Sequence, residues 1–388
     1  MRTSEIPEVD LTDPAVVTDP FGTYGRVREQ TPVARLLIPG MAPLWAVLRY
    51  HDAKAALSDP RFELSADSFA FKPAVPEDCE VYLRTMQEME GPEHLRLRRL
   101  VAPAFTPRRP FRSRIEPLVD ALLGELGGEV DLVPSFARPL PIDVICELAG
   151  VPVADRDRWR EYGAHLASGA GAGFAAAVPG IIHGARSAVR ARRAEPGDDL
   201  ISDLLRTRVD GDRLTDVELV TLVWNIVLAG QTPTNLIANA VAILLDNPEW
   251  TERLRAEPAL MPTAVEELMR WCGPQIMTIP RFARADVEIG GITVPAGAQM
   301  TVVIASANRD RRAFAEPERL DLTRDGLPHL GFAHGAHFCL GAGLARVQTE
   351  LALSALLSRF QEIVPAGPAV RAPDPGTWRL TTLPVRLG

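Results

Sequence analysis

The sequence predicts a mainly α-helical protein with a minor β region, and three observations predict it. Apolar residues recur at helical spacing through most of 82–271 and again after Gly341. The longest apolar run, "LTDVELVTLVWNIVLAGQTPTNLIANAVAILLDNP" at 214–248, opens on Thr215 and Glu218 in a capping-box arrangement and reads as one central core helix. Strand-like patterns are confined to about 30–65, 275–305 and 365–388. No linker or internal repeat divides the 388 residues, so a single domain over 1–388 is expected.

The elements follow in order. "GTYGRVREQ" is a short helix, "LWAVLRY" at 44–50 a strand, and "HDAKAALSDPRF" a helix stopped at Asp59-Pro60. Residues 63–80 lack a period and read as a long loop. Helices are expected over 82–105, 113–127, 138–149 and 153–167. "GAGAGFAAAVPG" at 169–180 is small and flexible enough for a lid, before a helix over 181–193. After the long helix come helices over 248–256 and 260–271, then strands, then a last helix from about Gly341 to 359.

Composition narrows the class. A net charge of −8 argues against nucleic acid as a partner. The four cysteines, Cys79, Cys146, Cys272 and Cys339, are scattered and form no CxxC pair, which suits a reducing cytoplasm. The first residues hold no apolar run, so neither a signal peptide nor a membrane anchor is expected. Asp216, Glu218, Asn225, Gln231 and Asn235 interrupt the long helix and argue against a membrane span.

Chemistry concentrates in "GFAHGAHFCLGAGLAR", 331–346. Four readings of Cys339 compete. Zinc ligation would draw on His334, His337 and Cys339, but no distant Cys/His pair completes the set. A cysteine nucleophile would need a base such as His94 or His165, which nothing marks. A packed thiol does not account for the crowded glycines. An axial thiolate on heme iron does: Gly335, Gly341 and Gly343 let backbone pass under a flat macrocycle, and a following helix N-terminus favours the anion.

Phe332, Gly335, Cys339 and Gly341 match F-x-x-G-x-x-x-C-x-G, and the chain resembles the soluble bacterial cytochromes P450 from "LWAVLRY" to its end. "PLPIDVICELAGVP", 139–152, is similar to the bacterial branch. The resemblance implies a triangular helix-rich prism, a central I helix at about 214–247, and heme b (iron protoporphyrin IX) between the I and L helices with Cys339 as axial ligand and no other metal. It implies that Glu267 and Arg270 of "AVEELMRW" form a structural ion pair, joined by Arg319 of "NRDRRAFAEPERLDLTR". It implies that His94 and Arg98 of "GPEHLRLRRL", with Arg281 and His337, reach the heme propionates, while His334 is a surface or outer residue.

On the oxygen side the family carries A-G-x-(Asp/Glu)-Thr, whereas this chain reads Ala229-Gly230-Gln231-Thr232-Pro233-Thr234. The acid position holds Thr232 and the threonine position Pro233. A proline inside a helix removes an N–H and clashes with the carbonyl four residues back, here Ala229, so it would sharpen a kink. Neither Thr232 nor Thr234 simply replaces the lost hydroxyl, and Gln231 and Asn235 add no acid. Two outcomes stay open. Water or a substrate hydroxyl completes the relay and oxygen is inserted, by C–H hydroxylation or epoxidation. Alternatively, the enzyme carries out aromatic C–C or C–O coupling, or desaturation, on a substrate such as a peptide or cyclic dipeptide. A non-catalytic heme-binding or recruitment protein is a reading of another class.

The resemblance places the pocket among the 63–88 loop, the 165–185 segment, the I helix around Asn225 to Ala229, and "PQIMTI", 274–279. Phe174, Trp224, Ile276 and Met277 would make it apolar, and Asn225, Gln275, Thr278 and Asn239 would offer anchors. It implies an apolar natural-product-like substrate of secondary metabolism such as antibiotic biosynthesis. Electrons would come from a ferredoxin with an NAD(P)H-dependent reductase, docked on Arg96, Arg99, Arg108, Arg109 and Arg346. A cytoplasmic monomer is expected.

Overall fold

The computed structural model describes residues 6–69, 74–105, 111–152, 155–167, 172–326 and 328–388. The chain groups into two compact units. One comprises Met1–Phe69, Glu257–Cys339 and Val370–Thr381, the other Ala70–Ala256, Leu340–Ala369 and Thr382–Gly388.

The first unit is built on a six-stranded sheet. Its strands are β1 (Glu8–Asp10), β2 (Val33–Leu37), β3 (Leu44–Val47), β4 (Phe62–Glu63), β6 (Arg281–Ala283) and β9 (Gln299–Val302), in the order β1-β2-β3-β9-β6-β4. β2 and β3 pair antiparallel with Val33 opposite Val47, and β3 runs parallel to β9 with Trp45 opposite Met300. The side-chain alternation of a strand explains why both faces are apolar. Val33, Val47, Met300 and Val302 join Tyr50 and Leu57 of α3 (Tyr50–Ser58) in one cluster. Ala34, Leu36 and Ala46 face the other way, with Tyr24 of α2 (Pro20–Gln30). α1 (Pro14–Thr18), α14 (Met261–Cys272) and α15 (Ile304–Ala307) complete the unit's helices. Two small hairpins, β7 (Val287–Ile289) with β8 (Ile292–Val294) and β11 (Val370–Arg371) with β12 (Leu380–Thr382), complete its strands.

The second unit is helical. It holds α4 (Glu77–Glu80), α5 (Gly91–Val101), α6 (Phe111–Gly124), α7 (Pro139–Ala149), α8 (Arg156–Ala167), α9 (Ala172–Ala194) and α10 (Leu200–Arg206). α11 (Asp216–Ala229), α12 (Pro233–Asp246), α13 (Pro248–Ala256) and α16 (Ala342–Arg359) follow. β5 (Gly128–Asp131), β13 (Pro384–Leu387) and β10 (Ile363–Pro365) form a three-stranded antiparallel sheet. α11 packs on α7, α8 and α9, and α16 on α6 and α12.

The mainly helical reading stands, with local corrections. The long helix is two helices, interrupted over 230–232. By length and composition Asp216–Asp246 could cross a membrane, yet half of its most apolar window is buried inside the fold. The 82–105 helix is shorter: Gly91 and Pro92 start α5, and before it only Met86–Glu88 forms a tight turn. The expected lid over 169–180 lies partly outside the described residues, and from Ala172 it is already α9, Pro179 included. Strand 44–50 ends at Val47 because Tyr50 opens α3, where its amide donates to Asp310 Oδ2 at 3.0 Å.

Candidate active site

The segment before Cys339 is held by backbone geometry. Leu330 N donates to Asn308 Oδ1 at 2.7 Å, Ala333 N to Leu330 O at 2.8 Å, and Cys339 N to Phe332 O at 2.9 Å. Phe332 is buried and its ring meets that of Phe338 edge-on at 6.4 Å. Gly335 is required twice over. Its φ is +76°, and a Cβ there would lie 2.7 Å from Leu57 O. The same carbonyl accepts from Arg281 Nη1 at 3.0 Å, so the propionate candidate on β6 and the ligand loop share one anchor. His337 is half-buried in the turn Gly335–His337. His334 is half-buried nearby, and burial, then the charge of Lys54, holds its pKa below the ordinary imidazole value.

Behind this loop, Glu267 and Arg270 make the expected ion pair. One turn of α14 sets them face to face, with Nε to Oε2 at 2.6 Å and Nη2 to Oε1 at 2.7 Å, both side chains buried. Arg270 Nη1 also donates to Asn308 O at 2.9 Å and Pro317 O at 3.0 Å. Asn308 therefore links the pair to Leu330 and the start of the ligand loop. The third partner is not Arg319. Arg324 Nε lies 3.1 Å from both Glu267 oxygens, and its Nη2 donates to Arg319 O at 2.9 Å. Arg319 turns outward, 61% exposed, to Asp321.

In the helical unit, His94 is fully buried on α5, and Arg98 follows one turn later on the same face, half-buried. Arg96, taken for a docking patch, is committed elsewhere: it holds Asp212 at 2.6 Å and Glu218 at 2.5 Å. Arg99 approaches Asp210 at 3.9 Å in the open, and Arg346 is half-buried. Arg108 and Arg109 lie outside the described residues.

The central interruption is not a proline kink inside a helix. Gly230 N donates to Ile226 O at 2.8 Å and Thr232 N to Ala229 O at 3.3 Å, closing α11 in a tight turn. Pro233 then stands at the first position of α12, where no N–H is needed and its φ suits the helix. Gly230 approaches α7 so closely that a Cβ would collide with Ile145 Cδ1. Gln231 turns to α8. Its Nε2 donates to Val227 O at 3.3 Å, and a Cβ on Gly163 would come within 3.2 Å of its Oε1. Around the interruption Asn225, Thr232 and Pro233 are half-buried and Ala229 is exposed, whereas Gln231 and Thr234 are buried.

A cavity of about 250 Å³ lies beside α11. Met86, Met89, Leu97, Leu222 and Asn225 line it, with the Arg84–Glu93 ion pair at 2.6 Å. Met86, Met89, Leu97 and Arg84 were not singled out from the sequence, although two methionines in four residues signal an adaptable apolar wall. Trp224 does not face this cavity. Its Nε1 donates to Tyr82 O at 2.7 Å and its ring is in the core. Asn239 is fully buried. Ile276 is also core, with its amide on Gly376 O at 3.0 Å. Met277 packs against the same cluster, Gln275 bridges to Thr377, and Thr278 Oγ1 meets Thr301 Oγ1 at 3.2 Å, so this stretch is woven into the sheet unit. The side chain of Phe174 lies outside the described residues.

Each unit, taken by itself, offers features that heme b requires. Burial pushes the thiols of Cys146 and Cys272 up to about 12 and raises that of Cys79, whereas Cys339 alone of the four is exposed. Cβ atoms at Gly341 and Gly343 would meet nothing within 4 Å, leaving that backbone open to a flat group. Thr234 Oγ1 and Gln231 Oε1 are buried with no hydrogen-bond partner among the described residues, which is where buried polar groups take water or ligand.

Comparison with known proteins agrees. A family model described as Cytochrome P450 matches residues 180–386. Cytochrome P450 107B1 of Saccharopolyspora erythraea is 38% identical, covering 100% of both chains. Mycinamicin IV hydroxylase/epoxidase of Micromonospora griseorubida is 39% identical over 88% of each. Among solved structures, the bacillaene polyketide synthase P450 PksS of Bacillus subtilis superposes with a TM-score of 0.88 at 33% identity, over 95% of this chain and 97% of that one. The chain belongs to the cytochrome P450 family of monooxygenases, in its bacterial branch.

Proposed function

We propose that this enzyme hydroxylates or epoxidises an apolar natural-product-like molecule of secondary metabolism, with electrons from a ferredoxin and its NAD(P)H-dependent reductase, as a cytoplasmic monomer. The cavity beside α11 carries this reading: its wall is methionine and leucine, with Asn225 and Thr221 as its uncharged polar anchors. One relative is named mycinamicin IV hydroxylase/epoxidase, which supports the reaction type.

Cys339 would hold heme b as its thiolate ligand, with His94, Arg98, Arg281 and His337 as partners for its carboxylates, and the group would supply oxygen activation, which thiolate ligation favours. The chain's own residues do the rest. Met86, Met89, Leu97 and Leu222 bind and exclude water, and Asn225 orients the substrate by one hydrogen bond. Pro233 holds the interruption open but carries no proton. Thr234 Oγ1, buried without a partner among the described residues, receives the proton from an ordered water or a substrate hydroxyl and passes it on.

A second reading rests on Pro233: where the usual hydroxyl is missing, the substrate could lose hydrogen without gaining oxygen, by aromatic coupling or desaturation. One experiment separates the two. Macrolactones and aromatic cyclic dipeptides are screened by heme spin shift, then turned over with surrogate ferredoxin and reductase, and the products weighed. A gain of one oxygen atom supports the proposal. Loss of two hydrogens, or spin shifts with dipeptides only, sinks it in favour of the second reading.

A further inference from the structure

Asp78, Cys79 and His183 bring three metal-ligating atoms within 4.8 Å of one another, in a part of the molecule that the heme chemistry does not use. Asp78 and Cys79 belong to α4, and His183 projects from α9. His183 Nε2 lies 3.2 Å from Asp78 Oδ2 and 3.5 Å from Cys79 Sγ, and Sγ lies 3.8 Å from Asp78 Oδ1. Zinc takes thiolate at about 2.3 Å and imidazole or carboxylate at about 2.0–2.2 Å, so tetrahedral geometry sets such atoms roughly 3.3–3.6 Å apart. The nitrogen–oxygen and sulfur–nitrogen separations already suit that arrangement, and a small turn of the Asp78 carboxylate completes it, since all three ligand atoms lie within 4.8 Å.

We propose that Asp78, Cys79 and His183 form a zinc site that ties α4 to α9. The donor set is one thiolate, one imidazole and one carboxylate, which suits zinc and not the oxygen-seeking calcium or magnesium. Cys79 is buried, while Asp78 and His183 reach solvent, leaving the fourth position to water. On binding, the Cys79 proton leaves to solvent. Arg186 Nη1 donates to Asp78 Oδ2 at 2.7 Å and sits over the Tyr82 ring. With that oxygen on the metal, Arg186 shifts to the other oxygen and orients the carboxylate from outside.

The consequence lies a few residues on. α4 leads directly into Val81 and Arg84, which wall the cavity, and into Tyr82, whose carbonyl accepts from Trp224. A metal that fixes α4 to α9 therefore fixes one wall of the substrate cavity. The site stands independently of the heme reading.

The test uses the heme-loaded full chain and zinc itself. Competition against a chromophoric chelator should give one zinc per chain. Absorption at the zinc edge, which iron does not disturb, should show one sulfur at about 2.3 Å with lighter atoms at about 2.0–2.2 Å. His183→Gln, at a half-exposed side chain where folding is not at risk, should weaken binding by at least about tenfold. Cys79→Ser should remove the sulfur shell, and Arg186→Gln should weaken binding by about tenfold while leaving the sulfur shell in place. Failure to bind stoichiometric zinc, a shell without sulfur, or affinity unchanged in both His183→Gln and Cys79→Ser overturns the proposal.

Discussion

The loop that ends at Cys339 and the interruption that ends at Pro233 are held in opposite ways. The loop is secured from outside: Asn308 fixes Leu330, Leu57 leaves room only for glycine at 335, and the Glu267 cluster stands behind both. The interruption is secured from within, by a proline that cannot donate and a turn that closes on Ala229. The first arrangement pairs the backbone amides of Leu330, Ala333 and Cys339. The second leaves the Thr234 hydroxyl and the Gln231 carbonyl without a partner among the described residues. A ligand atom needs a fixed address, whereas a reaction groove needs unspent hydrogen-bonding capacity.

The largest expected effect tests the loop. Cys339→Ala should abolish the thiolate-type carbon monoxide difference band and substrate turnover together. Because Cys339 is exposed in the chain, its removal should change the stability of the heme-free protein by no more than about 0.5 kcal/mol. Retained turnover would end the comparison at once.

Next comes the scaffold behind it. Glu267→Ala strands the Arg270 and Arg324 guanidiniums and should cost about 3–5 kcal/mol in urea unfolding, with loss of heme retention. Arg319→Ala, at an exposed side chain, should cost no more than about 0.5 kcal/mol. Equal costs would return the third partner to Arg319. Gly335→Ala should then cost about 1–3 kcal/mol, because it meets both a left-handed backbone and the Leu57 carbonyl.

The smallest stability effects, and the sharpest, concern the interruption. Thr234→Val removes an unpaired buried hydroxyl, so stability should hold or rise by up to about 1 kcal/mol. Product per NAD(P)H should nevertheless fall and hydrogen peroxide rise. Pro233→Thr should do the reverse, with more product and less peroxide. If neither substitution moves the ratio of product to peroxide, Thr234 is not in the relay.

The sequence made the chemistry of the loop legible because its residues are close in the chain. Phe332 to Gly341 is a local pattern, and Glu267 with Arg270 is a single helical turn. The third partner was not legible. Arg319 and Arg324 lie five apart in irregular chain, where no periodicity says which side chain turns inward. The pocket suffered similarly. Trp224 and Asn225 are neighbours on α11, and only the tertiary bond to the Tyr82 carbonyl shows which one faces the core. Ile276 reads as pocket for its apolarity, but it packs into the core of the sheet unit with its amide on the Gly376 carbonyl. Pro233 was recognised as the departure that matters, yet its role depends on where a helix begins, and a run of unbroken apolar periodicity hides that boundary.

The proline at that boundary also limits how the molecule can move. In a continuous helix the amide of residue 233 would bond to the Ala229 carbonyl, and proline has none to offer. The groove at the centre of the long segment therefore cannot be closed by re-forming the helix, whatever binds or leaves. A chain with a hydrogen-bonding residue at 233 would divide its time between a closed and an open rod, and each ligand would bear part of the cost of opening. Here that cost is met once, during folding, and every catalytic cycle begins from the open form.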